Sequence, residues 1–187
     1  MAKLNWLGKK GTWREVANSA RTTIGKEAGE GEPSSNWKRR MLMCEHSPIR
    51  QLSYKWKWYE LPYWVSTHFV RHWLGIVHWV RTQRSDRTGV DRTDIGQGAF
   101  VEHEAEANAQ ALITISRKRL CYQASPETRK AWEAVKEEVA KEEPQLAKCM
   151  VKECIYRGFC PEFYSCGYHK TDEFKKELEE YRRGINE

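Results

Sequence analysis

Residues 62–88 read PYWVSTHFVRHWLGIVHWVRTQRSDRT, and the fold of the chain turns on how this stretch is arranged. Its first part reads as one helix of about five turns, opened by Pro62 at a position where a missing N–H costs nothing. Advancing 100° per residue separates two faces. Phe69, Val70, Trp73, Leu74, Ile76, Val77 and Val80 fall on one side. His68, Arg71, His72, Gly75, His78, Trp79 and Thr82 fall in an arc of roughly 120° on the other. A solvated face would carry Lys and Glu. This one has no carboxylate, but it has imidazoles, an arginine, an indole and a glycine that leaves room for close approach. Arg81, Arg84, Arg87 and Arg92 follow in a loop rich in Ser, Thr, Asp and Gly. The combination suits a flat anionic ligand, with a ring to stack on and donors for phosphate. The competing reading is a solvated, basic helix end.

Upstream, residues 51–60 (QLSYKWKWYE) alternate. Leu52, Tyr54, Trp56 and Trp58 point one way, and Ser53, Lys55, Lys57 and Tyr59 the other, which predicts a strand with one aromatic face. Thr12 and Glu15 form a capping-box pair, so a helix begins at Trp13 and ends at Gly25. Residues 25–35 read as a loop. A short helix is expected from Asn36 to about Glu45, ending before Pro48. Downstream, a second long helix is expected from about residue 99 to 121, with Asn108, Leu112, Ile115 and Arg119 in one stripe. A third begins at Ser125-Pro126-Glu127 and runs to about Lys141. Residues 150–170 read as an irregular Cys/aromatic segment, and the charged tail as a surface helix. These elements predict one α+β domain over residues 1–187, with a Cys-rich C-terminal extension from about residue 145.

Composition narrows the partners. With 187 residues the chain can bury a real core, and 12% aromatic content argues against disorder. No apolar run approaches the roughly 20 residues that span a bilayer. MAKLNWLGKKG has no apolar h-region, so a cytoplasmic protein is expected. The net charge of +6 favours nucleotides, polyglutamylated cofactors or nucleic acid without choosing among them.

The cysteines stand at 44, 121, 149, 154, 160 and 166. The last four are spaced C-x4-C-x5-C-x5-C, a poor match to the close C-x2-4-C pairs of zinc ribbons, although His169 lies nearby. Reduced, packed cysteines and no metal are expected. His68 and His72 are four apart, as a metal pair would be, but no third ligand follows.

Four ordered segments resemble the flavin-dependent thymidylate synthases. The first is Ala17-Asn18-Ser19-Ala20-Arg21-Thr22-Thr23. The second is His46-Ser47-Pro48-Ile49-Arg50-Gln51 running into the aromatic strand. In the third, Arg71-His72 meets the start of the family's Arg-His-Arg-x-x-Ser-x-Asn-Glu-x-Ser-x-Arg-Tyr signature. The fourth is Asn108-Ala109-Gln110-Ala111-Leu112 through Arg119, then Ser125 and Trp132. Together they span about residues 12–140. This sequence departs from the signature at Trp73, which replaces its second Arg, and at His78-Trp79, which replace its Asn-Glu. The end of the signature falls on Arg81-Thr82-Gln83-Arg84, and Arg50-Gln51 stand where the second segment has Glu-His.

The resemblance implies a homotetramer with an α+β fold, a helix bundle beside a small antiparallel sheet, and active sites where subunits meet. It implies transfer of a methylene group from methylenetetrahydrofolate to C5 of dUMP, with reduced FAD as hydride donor and NADPH as the source of electrons. Arg71, His72 and Asn108 would contact the flavin. His68 takes the place of a family Gln that faces the pyrimidine. Arg81, Gln83, Arg84 and Arg87 are candidates for binding dUMP, chiefly its phosphate. Arg119 would polarise the pyrimidine, so that C5 becomes nucleophilic without a cysteine; its structural alternative is a salt bridge to Glu104. Trp79 is a stacking candidate for flavin or folate. Two rival functions remain at this level: another C5 modification of a pyrimidine nucleotide, and a basic nucleic-acid-binding protein, the less favoured of the two. The colour of a flavoprotein separates the second from the rest.

Overall fold

A computed structural model describes the backbone of residues 2–186 and the side chains of residues 2–183. The N-terminal strand β1 (Lys3–Lys10) leads into α1 (Trp13–Thr22). The capping box holds: Thr12 N–H donates to the Glu15 carboxylate at 2.7 Å, and Glu15 N–H to Thr12 Oγ1 at 3.2 Å. After the loop comes α2 (Ser35–Met43), then a 3-10 turn that leads into β2 (Ser53–Pro62). Next are α3 (Tyr63–Val70), β3 (Ile76–Val80) and the short α4 (Ser85–Thr88). β4 (Phe100–Asn108) runs directly into α5 (Ala109–Arg119). The chain closes with α6 (Pro126–Glu142), α7 (Pro144–Cys149), α8 (Glu153–Arg157) and α9 (Asp172–Asn186).

The strands form one antiparallel sheet in the order β1-β2-β4-β3. Its inner face is aromatic. Tyr54, Trp56 and Trp58 of β2 and His103, Ala105 and Ala107 of β4 are buried against the helices, where Phe69 and Trp132 meet them. Trp58 and Phe69 stack with ring centroids 4.6 Å apart. The outer face alternates in charge: Lys55 pairs with Glu104 at 2.7 Å, Lys57 with Glu102 at 2.5 Å and Lys10 with Glu106 at 2.8 Å. The fold is therefore α+β, with helices packed on one face of a small antiparallel sheet.

Two expected helices are corrected. The long helix from Pro62 ends after two turns at Val70, and residues 76–80 are strand. Gly75, at φ +73°, turns the chain between them. β-Branched Ile76, Val77 and Val80 with His78 and Trp79 alternate across a pleat, and edge pairing with β4 outweighs the helical reading. The helix expected over 99–121 is likewise strand up to Asn108 and helix only from Ala109. Val101, His103, Ala105 and Ala107 point inward and Glu102, Glu104 and Glu106 outward, a period of two that Ala and Glu, both helix formers, conceal.

Candidate functional site

The site grows from the place where α3 stops. His72 N–H still bonds Phe69 C=O at 2.9 Å, and Gly75 then redirects the chain into β3. The turn is fastened to α5. Gly75 C=O accepts from Asn108 N–H at 2.9 Å, while Asn108 Oδ1 caps α5 by accepting from Ala111 N–H at 2.9 Å. A Cβ on Gly75 would come within 2.7 Å of Asn108 Nδ2. Asn108 thus joins the turn bearing Arg71 and His72 to the helix whose far end carries Arg119.

A chain of side chains supports the turn from inside. His78 Nε2 lies 2.8 Å from His72 C=O, so it must carry the proton and donate. His78 Nδ1 is then an acceptor, and His103 Nε2–H donates to it at 2.9 Å. His103 Nδ1 in turn accepts from Ser66 Oγ–H at 3.0 Å. One carbonyl therefore fixes the tautomers of both buried imidazoles. Burial, and secondarily His78, pushes the His103 pKa down to about 3; burial lowers that of His78 as well. Both rings stay neutral.

Arg119 closes the arrangement. Its Nε–H donates to His72 Nε2 at 2.8 Å and its Nη2–H to His68 C=O at 2.7 Å. The first bond makes His72 the Nδ1–H tautomer, and that N–H has no partner among the described residues. Burial, then Arg119, then His78 and Arg71, holds His72 down to about 4. His68, lowered by burial and then by Arg119 and Arg71, places Nδ1 3.0 Å from Thr128 Oγ1. Arg71 also lowers the pKa of Arg119, after burial. Neither arginine has a carboxylate partner among the described residues. Half-buried Arg119, bonded to neutral His72 and opposed by the charge of exposed Arg71, makes a site that an anion would relieve.

The structure thus joins His68, His72 and Arg119, with Asn108 as the positioning cap and Arg71 beside them. It does not join the loop arginines to them by any bond among the described residues. Arg84 bonds Asp86 at 2.9 and 2.8 Å, Arg87 lies 3.7 Å from Asp86, and Arg81 lies 3.9 Å from Glu102. Gln83 is half-buried in the same loop. Glu104 belongs to Lys55, so the salt bridge considered for Arg119 is not made. Trp79 stands on the outer sheet face, with Lys55 5.0 Å from its ring centroid. His103, Ser66 and Thr128 escaped the sequence reading; the inward alternation of His103 with Ala105 and Ala107 was the signal for the first. Trp73, 74% exposed, and Leu74, 70% exposed, stand beside Arg71 and His72 with no cover.

No family model matches the chain, and no curated protein sequence matches it. Solved structures do share its fold. The chain is similar to a UMP/dUMP methylase, PolB, from Streptomyces cacaoi bound with 5-Br dUMP, at 13% identity and TM-score 0.65, covering 85% of this chain and 96% of that one. The same protein bound with 5-Br UMP gives 14% identity and TM-score 0.63, covering 81% and 96%. Thymidylate synthase X from Helicobacter pylori, solved with FAD and dUMP, gives 12% identity and TM-score 0.64, covering 80% and 99%.

Proposed function

We propose that the chain is a flavin-dependent thymidylate synthase that converts dUMP to dTMP with methylenetetrahydrofolate as carbon donor and NADPH as reductant. The observation that carries the reading is Arg119, bonded to neutral His72 and, like nearby Arg71, without a carboxylate partner among the described residues. The fold likeness adds support, because the neighbours' ligands are 5-Br dUMP, 5-Br UMP, dUMP and FAD.

The residues present fit a flavin dinucleotide. Arg71 is exposed and unpaired among the described residues, His72 offers its Nδ1–H, and the indole of Trp73 is open to stacking. Bound FAD would supply the hydride. The chain's own residues bind and orient. Arg119 spends two of its five N–H groups on His72 and His68, which fix the plane of its guanidinium. The rest address the uracil carbonyl edge and stabilise charge there as C5 becomes nucleophilic. Arg81, Gln83 and Arg84 take the phosphate. The ion pairs of Arg81 with Glu102 and of Arg84 with Asp86 are exposed and screened by solvent, so a dianion displaces them readily. The exposed Trp73 and Leu74 are covered by another subunit of an oligomer, most simply a tetramer.

A second reading, a different C5 modification, is favoured by one observation. The signature's Asn-Glu falls on His78, which is consumed inside the protein, and on Trp79, which faces Lys55. One set of measurements tests both readings. FAD is titrated into wild type and Arg71→Ala, with assembly size read by light scattering in the same samples. Reduced enzyme is then given dUMP or UMP with methylenetetrahydrofolate, and the nucleotide is weighed by mass spectrometry. The expected results are at least tenfold weaker FAD binding by Arg71→Ala, an assembly larger than a monomer, and dTMP from dUMP. Equal FAD affinity of the two proteins, or a fully active monomer, would sink the site; a new mass other than dTMP would favour the second reading.

A further inference from the structure

The six cysteines separate into unlike groups. Cys44 is exposed, and Cys149 sits in the main core with Sγ 3.6 Å from Met43 Sδ. The other four come together from three places: Cys121 just beyond α5, Cys154 in α8, and Cys160 and Cys166 in the loop that follows. With Lys152, Glu153, Glu162, Tyr168 and His169 among the other lining residues, they border one small, partly open cavity of about 10 Å³. That volume suits a single ion or water and no organic ligand. Among the described residues no three metal-binding side chains already close on one point. The four thiols border the same cavity without closing on a shared point.

The segment needs such a tie. Residues 158–167 run from one left-handed glycine to another with no helix or strand between them. Their aromatics face out: Phe163 is 93% exposed and Tyr164 79%. The hydrophobic cluster beneath is four buried residues, Val151, Cys154, Ile155 and Phe174. Cys160, Tyr168, Leu178 and Tyr181 pack on its edge, and a cluster of that size is one that a cross-link stabilises.

We propose that Cys121, Cys154, Cys160 and Cys166 bind one Zn²⁺ as a tetrahedral set of four thiolates. Soft sulfur ligands in fourfold array select zinc, and a closed four-sulfur site is structural rather than catalytic. On binding, four thiols lose their protons to solvent and four Zn–S bonds form, with no change of oxidation state. The spacing rule does not register this set: Cys154, Cys160 and Cys166 are each separated by five residues with no close pair, and the fold brings in Cys121 from far away in sequence. The ion ties the C-terminal segment to the end of α5, two residues beyond Arg119, so it also steadies the element that aims the guanidinium.

The test is metal content by plasma mass spectrometry on the full chain purified from zinc-supplemented cells, with circular dichroism as fold control. Wild type should carry about one zinc per chain, the stoichiometry of a closed four-ligand site. Cys160→Ser and Cys166→Ser, both on the loop, should lose at least nine-tenths of it while staying folded; Cys121→Ser should do the same if it folds. Cys44→Ser and His169→Gln should keep it. Cobalt added to the zinc-free protein should give thiolate-to-metal charge-transfer absorption. Wild type that holds no zinc and takes up neither zinc nor cobalt would overturn the proposal. So would iron in place of zinc, disulfides among these four, or full zinc in Cys160→Ser. Zinc lost in His169→Gln but kept in folded Cys121→Ser would overturn the four-thiolate set.

Discussion

At the scale of single residues, Arg119 carries the sharpest expectation. Its Nε–H is the bond that sets the His72 tautomer, and its Nη2–H reaches back to α3. Arg119→Lys keeps a positive charge and a good helix former but loses the planar fork and the Nε–H. His72 then loses its donor, and the uracil edge loses a fixed partner. Turnover of dUMP by pre-reduced enzyme should fall about 10²–10³-fold, roughly 2.7–4 kcal/mol, with unchanged circular dichroism. Turnover close to wild type in the lysine variant would return Arg119 to a purely structural place between α3 and α5. Arg71 and His72 were singled out in the sequence by a stretch without carboxylates, and Arg119 by its stripe with Asn108, Leu112 and Ile115 and by the family resemblance. Ser66 and His103 were not, because their use depends on a strand pairing between β3 and β4 that joins distant segments.

At the scale of elements, the turn over residues 71–75 matters most. Gly75 has φ +73°, and a Cβ there would strike an Asn108 amide that is occupied in capping α5. Gly75→Ala should therefore cost both the left-handed penalty of roughly 1–2 kcal/mol and part of a cap worth about 1 kcal/mol. The urea midpoint should drop accordingly, and adding Asn108→Ala should recover little, because the cap is already disturbed. A Gly75→Ala protein as stable as wild type would show that the turn adapts freely. The same turn explains what local reasoning misses. α1, α2, α6 and β2 follow from caps and alternation, and their ends lie close to those expected. β3 and β4 do not, because each is drawn into the sheet by partners remote in sequence, against helical propensity in Ala105-Glu106-Ala107 and a helical spacing in residues 68–80. The residues of the two misread helices converge all the same: the true α3 and α5 meet end to end at His68 and Arg119.

At the scale of the whole molecule, the neutral imidazoles tie stability to pH. His103 is held down to about 3 and His72 to about 4, both chiefly by burial, against an ordinary value of 6.5. Between those limits the unfolded chain binds more protons than the folded one, so stability rises with pH there. The stabilising contribution is complete above about pH 6.5 and is lost as the pH falls through the window down to about 3. Urea unfolding at pH 7.5, 6, 5 and 4 should show the loss beginning below 6.5, amounting to a few kcal/mol by pH 4. His103→Gln should flatten that slope; an unchanged slope would remove the buried chain from the account. The nine tryptophans of the sequence carry a further consequence. Trp13, Trp56, Trp58 and Trp132 are sealed in the interior, whereas Trp73 and Trp79 are open to solvent. Light emitted by the first set comes from dry, rigid surroundings and lies to the blue; light from the second comes from water and lies to the red. The molecule therefore carries two optical signals of its own, one for the integrity of its interior and one for whatever settles against Trp73.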